Sequence, residues 1–255
     1  MILAIDVGNT NIVLGCIEND EIKLTLRMAT EQIYTEDQYA MQISSILTLN
    51  GIDAHKLEHC IISSVVPPIT NTLKRAAIKL IGKEPMIIGP GIKTGLNIKI
   101  DNPAQLGSDL VVDAVATINE YSLPAIVIDM GTATTLSVIA EDGAYLGGMI
   151  MPGVGLSVRT LAKGTSQLPS VSIETPENII GKNTVDCMKS GIVYGNACML
   201  DGLIDKIADE IGEIKTVVAT GGLSQAIVPL CNHNIKCDNT LLLKGLNIIY
   251  KKNKK

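Results

Sequence analysis

Two stretches decide how this sequence folds: Ile2-Leu-Ala-Ile-Asp-Val-Gly-Asn-Thr-Asn-Ile-Val13 and Ala125-Ile-Val-Ile-Asp-Met-Gly-Thr-Ala-Thr-Thr-Leu136. Each is a short apolar run that closes on Asp-x-Gly, passes a polar turn and enters a second strand-like run. Continuous Val/Ile-rich runs bounded by turn residues read as strands buried on both faces. Asp6 and Asp129 stand 123 positions apart in a chain of 255 residues, so the pattern recurs at close to half the length. An internal repeat on that scale predicts two halves of the same architecture.

The flanking sequence extends the repeat. After Asp6 come strand-like residues 12–17, a turn at Asn19-Asp20 and a run over 21–28; after Asp129 come 135–140, a turn at Asp142-Gly143 and a run over 144–151. Asn-Asp and Asp-Gly between apolar runs are hairpin signals. Helices then alternate with strands. Thr35-Glu-Asp-Gln38 is a capping-box pattern that opens a helix ending near Gly51. Residues 60–66 read as a strand, and Pro67-Pro68 opens a helix running to about Gly82. A strand over 85–88, helices over 108–121, 184–211 and 241–251, and a strand over 216–220 complete the reading. The basic tail Lys251-Lys-Asn-Lys-Lys255 reads as a frayed, solvated helix end. The expected class is α/β, with mixed sheets flanked by helices, an N-terminal domain over 1–118 and a C-terminal domain over 119–255.

Composition narrows the function. Apolar residues make up 46% and charged residues 18%, too apolar for a disordered chain. With six Tyr and no Phe or Trp, a base-stacking platform for single-stranded nucleic acid is not expected. A formal charge of −5 excludes a general phosphate-backbone binder, so no nucleic-acid partner is expected. The opening apolar run has no basic leader and is too short for a signal-peptide core. No apolar stretch approaches the roughly 20 residues that cross a bilayer, so no membrane partner and a cytoplasmic location are expected. Cys16, Cys60, Cys187, Cys198, Cys231 and Cys237 contain no C-x-x-C pair; they read as scattered thiols, with Cys231 and Cys237 the alternative redox pair. His55 and His59 lack a third ligand and read as a surface helix pair rather than a metal site.

The repeated motif points to phosphate chemistry. A strand ending in Asp-x-Gly places a carboxylate at the carboxyl end of a sheet, where ligands of open α/β sheets sit. The glycine lets backbone approach a polyphosphate, and the Asn and Thr that follow are neutral donors. Asp6 can reach Mg²⁺ through water, because that ion keeps much of its hydration shell. Ala219-Thr-Gly-Gly-Leu-Ser224 runs from a strand into two glycines and a helix start, a place where a nucleoside can approach backbone. Gly91-Ile-Lys93-Thr94 and Gly181-Lys182-Asn183-Thr184 both lack the residue order of a Walker A loop.

Asp6-Val-Gly-Asn-Thr-Asn11, Asp129-Met-Gly-Thr-Ala-Thr-Thr135 and Ala219-Thr-Gly-Gly222 resemble the phosphate-1, phosphate-2 and adenosine motifs of the actin/hexokinase/Hsp70 ATPase superfamily. Within it, Ser63-Ser-Val-Val-Pro-Pro68, Gly89-Pro-Gly91, Thr94-Gly-Leu-Asn97, Gly107-Ser-Asp109 and Ile180-Gly-Lys-Asn-Thr184 resemble type III pantothenate kinase, nearly end to end and in the family's order. The resemblance implies paired ribonuclease-H-like domains and transfer of the ATP γ-phosphoryl to pantothenate, the first step toward coenzyme A. It also implies Mg²⁺, a monovalent cation (K⁺ or NH₄⁺) and a cytoplasmic homodimer. Carried over residue by residue, Asp6, Val7, Gly8, Asn9, Thr10, Asn11, Ile12 and Val13 cradle the ATP phosphates, Thr132 contacts ATP and Asp129 binds K⁺. Gly107, Ser108, Asp109 and Leu110 face the substrate, with Asp109 as proton acceptor, and Thr184 touches pantothenate.

The resemblance has departures. The family pattern Gly-Ala-Asp-Arg stands here as Gly-Ser-Asp-Leu, so Leu110 replaces an arginine, and Ile100 stands where the family commonly has tyrosine. These changes set an active kinase against a nucleotide-binding paralogue with weak or no kinase activity in a regulatory role.

Overall fold

The chain is described by a computed structural model over residues 1–254. Its elements follow the order β1 (Ile2–Val7), β2 (Asn11–Glu18), β3 (Glu21–Ala29), α1 (Glu36–Leu49), β4 (His59–Ser64), α2 (Pro67–Ile81), β5 (Met86–Ile87), β6 (Asn97–Ile98), α3 (Ser108–Glu120), β7 (Ala125–Met130), β8 (Ala133–Ile139), β9 (Ala144–Pro152), α4 (Val154–Gly164), α5 (Thr184–Ile211), β10 (Thr216–Thr220), α6 (Ser224–Ile227), β11 (Ile235–Cys237) and α7 (Leu241–Asn253). They form two compact units. Unit 1 comprises residues 1–95, 104–116 and the chain from Leu241 onward; unit 2 comprises 96–103 and 117–240.

Each unit is built on one sheet, and the two sheets share a plan. Unit 1 has the order β3-β2-β1-β4-β5, and unit 2 has β9-β8-β7-β10-β11 with β6 added outside β9. In both, the motif strand is central, antiparallel to the strand that follows it and parallel to a strand reached through a helical crossover. Asp6 pairs with Val13, seven positions on, whereas Asp129 pairs with Thr135, six positions on, so the first turn is one residue longer. Beyond that turn the copies realign. A register irregularity falls at Cys16/Ile17 in one and Val138/Ile139 in the other, in each case just before the hairpin. These are the paired ribonuclease-H-like sheets of the actin-like ATPase fold.

The hairpins form where the sequence places them. Asn19 and Asp20 both take positive φ, 50° and 69°, the turn geometry that matches the twist of paired strands. Thr35 caps α1: its hydroxyl accepts the Gln38 N–H while the Gln38 side chain accepts the Thr35 N–H. Pro67 and Pro68 start α2, where missing amide donors cost nothing, and Gly82 closes it in the left-handed conformation. The core of unit 1 gathers Leu3, Ile5, Val7, Ile12 and Leu14 from the sheet against Tyr39, Ile43, Ile69 and Leu73 from α1 and α2. The core of unit 2 sets Ile126, Ile128, Met130 and Leu136 against Val193, Ala197, Leu200 and Ile204 of α5.

The units are not contiguous halves such as 1–118 and 119–255, because residues 96–103 join the second sheet's unit and α7 packs with β1 and β4. The basic tail is not frayed over its described part. Helix α7 reaches Asn253, whose side chain takes the Lys93 N–H at 3.0 Å and donates to the Lys93 carbonyl at 2.9 Å. Lys252 reaches the Thr94 carbonyl at 3.0 Å, and Lys251 pairs with Asp20. Lys255 lies outside the described residues. His55 and His59 do not form a helix pair: His55 sits in a short 3-10 turn and His59 opens β4, its ring 5.5 Å from that of Tyr250.

Candidate active site

In unit 1, pairing on both edges of β1 fixes Asp6 between Val13 and Ser63, at the carboxyl end of the central strand. The turn that follows is closed by the Gly8 N–H on the Asn11 carbonyl at 3.0 Å. It is held from beside by Thr30, whose N–H reaches the Thr10 carbonyl at 3.0 Å and whose hydroxyl reaches the Gly8 carbonyl at 2.7 Å. A Cβ on Gly8 would stand 3.2 Å from the Asn11 oxygen, so the turn has room for little but backbone. The side chains of Asn9, Thr10 and Asn11 are exposed, while Val7 and Ile12 are fully buried in the core. Within Asp6–Val13, Val7 and Ile12 can therefore offer a ligand only main-chain groups. Amides and neutral donors arranged around a tight turn are a ready anion cradle.

Asp109 is positioned through the strand next to that turn. Ser108, the first residue of α3, sets its hydroxyl 3.1 Å from the Ser63 hydroxyl; it accepts the Ser64 N–H and donates to the Ser64 carbonyl, each at 3.1 Å. Since Ser63 pairs with Asp6, the start of α3 is pinned beside the carboxylate of β1. Asp109 follows, half-buried. Its Oδ1 accepts the Leu110 N–H at 2.8 Å and occupies the space that a Gly107 side chain would fill. Burial raises the Asp109 carboxyl above its ordinary value, partly offset by donation from the Leu110 N–H and its own. A half-desolvated carboxylate at a helix start is suited to accept a proton rather than sit in an ion pair.

In unit 2, Asp129 holds the equivalent position, between Thr135 on β8 and Thr220 on β10. The Gly221 turn lies directly on it. Gly221 has φ +89°, and a Cβ there would come 2.7 Å from Asp129 Oδ1 and 2.6 Å from the Met130 carbonyl carbon. Only glycine is compatible with both the conformation and the contact. Thr132 is exposed in the β7–β8 turn, and its carbonyl accepts the Gly153 N–H at 3.2 Å. Thr184 is the exposed first residue of α5, on a separate loop whose Asn183 side chain accepts the Asp186 N–H at 2.9 Å.

Thus Asp6–Val13 and Gly107–Leu110 belong to unit 1, where Ser63 links them, and Asp129, Thr132 and Thr184 belong to unit 2. Sequence reasoning missed the supports. Buried Asp238 donates its N–H to the Ala219 carbonyl at 2.8 Å; its carboxylate accepts Tyr121 Oη at 2.8 Å and the Thr240 hydroxyl at 2.7 Å. Burial and that carboxylate raise the Tyr121 phenol well above its ordinary range. Ser224 donates its hydroxyl to the Gly221 carbonyl at 2.8 Å and stands 3.4 Å from Asn239 Oδ1. Tyr121 and Asp238 are 117 positions apart, so no local pattern could signal the pair.

A family model described as type III pantothenate kinase matches residues 2–206. The chain is 43% identical over 253 residues to the type III pantothenate kinase of Moorella thermoacetica, covering 99% of this chain and 100% of the relative. It is 45% identical over 253 residues to that of Halalkalibacterium halodurans, again covering 99% and 100%. Among solved structures, the activator of the 2-hydroxyisocaproyl-CoA dehydratase from Clostridium difficile, determined with bound ADPNP, matches with a TM-score of 0.55 at 13% identity, over 100% of this chain and 98% of that one. Likeness at that identity concerns the fold alone. The end-to-end relatives carry the stronger statement, and with the family model over residues 2–206 they settle it: this chain belongs to the type III pantothenate kinase family.

Proposed function

We propose that this protein transfers the γ-phosphoryl group of ATP to the primary hydroxyl of pantothenate, forming 4'-phosphopantothenate, the first step of coenzyme A synthesis. The observation that carries the reading is the Ser63–Ser108 contact, which sets a half-buried Asp109 beside the strand that carries Asp6 near its end. Phosphoryl transfer requires mainly alignment and charge neutralisation. The Gly8 turn supplies amides and exposed Asn and Thr side chains for the phosphates, and Thr132 adds a contact from the second copy of the motif. Asp109 orients the acceptor hydroxyl and takes its proton as the new O–P bond forms. Gly107, Ser108, Leu110 and Thr184 complete the acceptor side.

Among the described residues no cluster of three or more His, Cys, Asp or Glu side chains is arranged to hold a metal. That suits an ion bound largely by water and phosphate oxygens, with one carboxylate, Asp6, as its protein anchor; Mg²⁺ binds in this way. Mg²⁺ would neutralise phosphate charge, and Asp129 would hold a K⁺ or NH₄⁺ ion. No helix among the described residues is long and apolar enough to cross a membrane. We place the enzyme in the cytoplasm as a homodimer.

The experiment is Asp109→Asn. Turnover should fall by about 10²-fold or more, the range for removal of a positioned general base, with ATP affinity nearly unchanged. Wild-type turnover in the variant would remove Asp109 from this role.

A further inference from the structure

Three of the six cysteines lie away from the groups assigned to catalysis, on α5 and the chain that packs along it. That chain runs beside one flank of the helix. Cys231 Sγ stands 3.9 Å from the Ala197 carbonyl oxygen and 3.7 Å from that of Ile227. The Asn232 N–H reaches both Asp201 oxygens at 2.8 and 3.0 Å, the His233 N–H reaches Asp201 at 3.1 Å, and His233 Nε2 lies 2.8 Å from Asp205 Oδ1. Residues 198, 201 and 205 have the i, i+3, i+7 spacing of one helical stripe. Residues 231 to 233 are therefore laid along the flank of α5 that carries Ala197, Asp201 and Asp205, with Cys198 next to Ala197. The planar peptide between Ala197 and Cys198 holds the Ala197 oxygen about 3 Å from the Cys198 Cα, so the Cys231 sulfur rests against the turn that carries Cys198.

We propose that Cys198 and Cys231 form an oxidisable dithiol, a modification site that reacts with low-molecular-weight disulfides and closes to a Cys198–Cys231 bond. Cys198 is exposed and Cys231 half-buried, which sets the order of events. The Cys198 thiolate attacks one sulfur of the small disulfide and releases one small thiol, leaving a mixed disulfide on Cys198. Cys231 then gives its proton to solvent, attacks the Cys198 sulfur and expels the second small thiol. Two electrons pass from the protein thiols to the small disulfide, and no other reactant is needed. Burial, with a contribution from the Asp201 charge, pushes the Cys231 thiol up to about 11, so closure is the slower step.

Cys237, whose charge also reaches Cys231, ends β11 in register with Ala219 of β10, on the sheet rather than on α5, and is the competing partner that the test separates. The bond would fasten α5 to the chain that follows α6, the short helix starting just beyond the Gly221 turn.

The test uses the full-length protein, reduced and then equilibrated with oxidised glutathione. Unreduced peptide mapping should find the Cys198–Cys231 link, with the intact protein lighter by about 2 Da for two lost hydrogens. The mass should return on adding dithiothreitol, and the linked form should melt at a higher temperature than the reduced one. Cys198→Ser and Cys231→Ser should each abolish the link, and Cys237→Ser should leave it intact. The wild-type map needs no variant to fold. A glutathione adduct that persists on Cys198 while Cys231 remains open to alkylation would overturn the proposal, as would a link made instead through Cys187 or Cys237.

Discussion

The Ser63 and Ser108 hydroxyls lie 3.1 Å apart although the residues are 45 positions apart in sequence. Ser63 pairs with Asp6 across the sheet, and Ser108 immediately precedes Asp109, so this one contact relates the two carboxylates that phosphoryl transfer would use. Ser108 also bonds both main-chain groups of Ser64. Its hydroxyl is thus held by β4, which fixes the start of α3.

Replacing Ser108 by Ala removes those contacts without adding bulk. Each hydrogen bond contributes about 1 kcal/mol net, so denaturant unfolding should show a loss of about 1–2 kcal/mol. Turnover should fall about tenfold, because a small misplacement of a catalytic group is costly, while the KM for ATP stays near the parent value. Equal losses in kcat and ATP affinity would point to general unfolding instead.

Gly221→Ala tests the turn that lies on Asp129. The added Cβ meets the carboxylate and the Met130 backbone at a positive φ, so stability should drop by about 1–3 kcal/mol and ATP binding should weaken. Gly191→Ala is the contrast. That glycine lies within α5 with nothing inside 4 Å, and the change should be neutral or stabilising by up to about 1 kcal/mol. Calorimetric titration with ATP and thermal melts of the two variants separate the cases.

The pH dependence follows from Asp109. Burial raises its carboxyl, and the ionised form is the one that accepts a proton, so kcat/KM should fall on the acid side at a pH above the ordinary carboxylate range. The stability linkage has the opposite sign. A folded value above the unfolded one favours the protonated native state, so this group's contribution is present at low pH and lost as pH rises through the folded value. Asp109→Asn should abolish the contribution in both readouts. Kinetic profiles and melts over about pH 4 to 8 test the signs.

Much of this was legible in the sequence because the determining signals are local. The repeated Asp-x-Gly strands, the Asn19-Asp20 and Asp142-Gly143 hairpins, the Thr35 capping box and the prolines of α2 each announce themselves within a few residues. What was not legible depends on tertiary contact. Helix α4 starts at Gly153 with no side-chain cap, because a side chain there would run into the Thr132 and Gly131 carbonyls. A helix without a polar cap gives no start signal. Strands β6 and β11 have two and three residues, too few for a period, and exist because β9 and β10 offer edges. The return of α7 to unit 1 and the Tyr121–Asp238 bond are long-range facts that no window of sequence contains.

Leu110 stands where the family resemblance implies an arginine. Its N–H already serves Asp109, a main-chain contact that an arginine would keep. Leu110→Arg should therefore raise kcat/KM for pantothenate by one charge-assisted contact, about 1.5–3 kcal/mol or about 10–150-fold, with ATP affinity unchanged. Steady-state kinetics with pantothenate varied at saturating ATP would show it. A loss would mean that the acceptor pocket is built around leucine.

The most direct measurement is ADP release by the purified protein with Mg²⁺ and ATP, with and without pantothenate, in K⁺ and in Na⁺. The account predicts release that depends on pantothenate, yields one phosphorylated pantothenate per ADP and is faster in K⁺ than in Na⁺. ADP release indifferent to pantothenate, or none in either salt while ATP still binds, would contradict it.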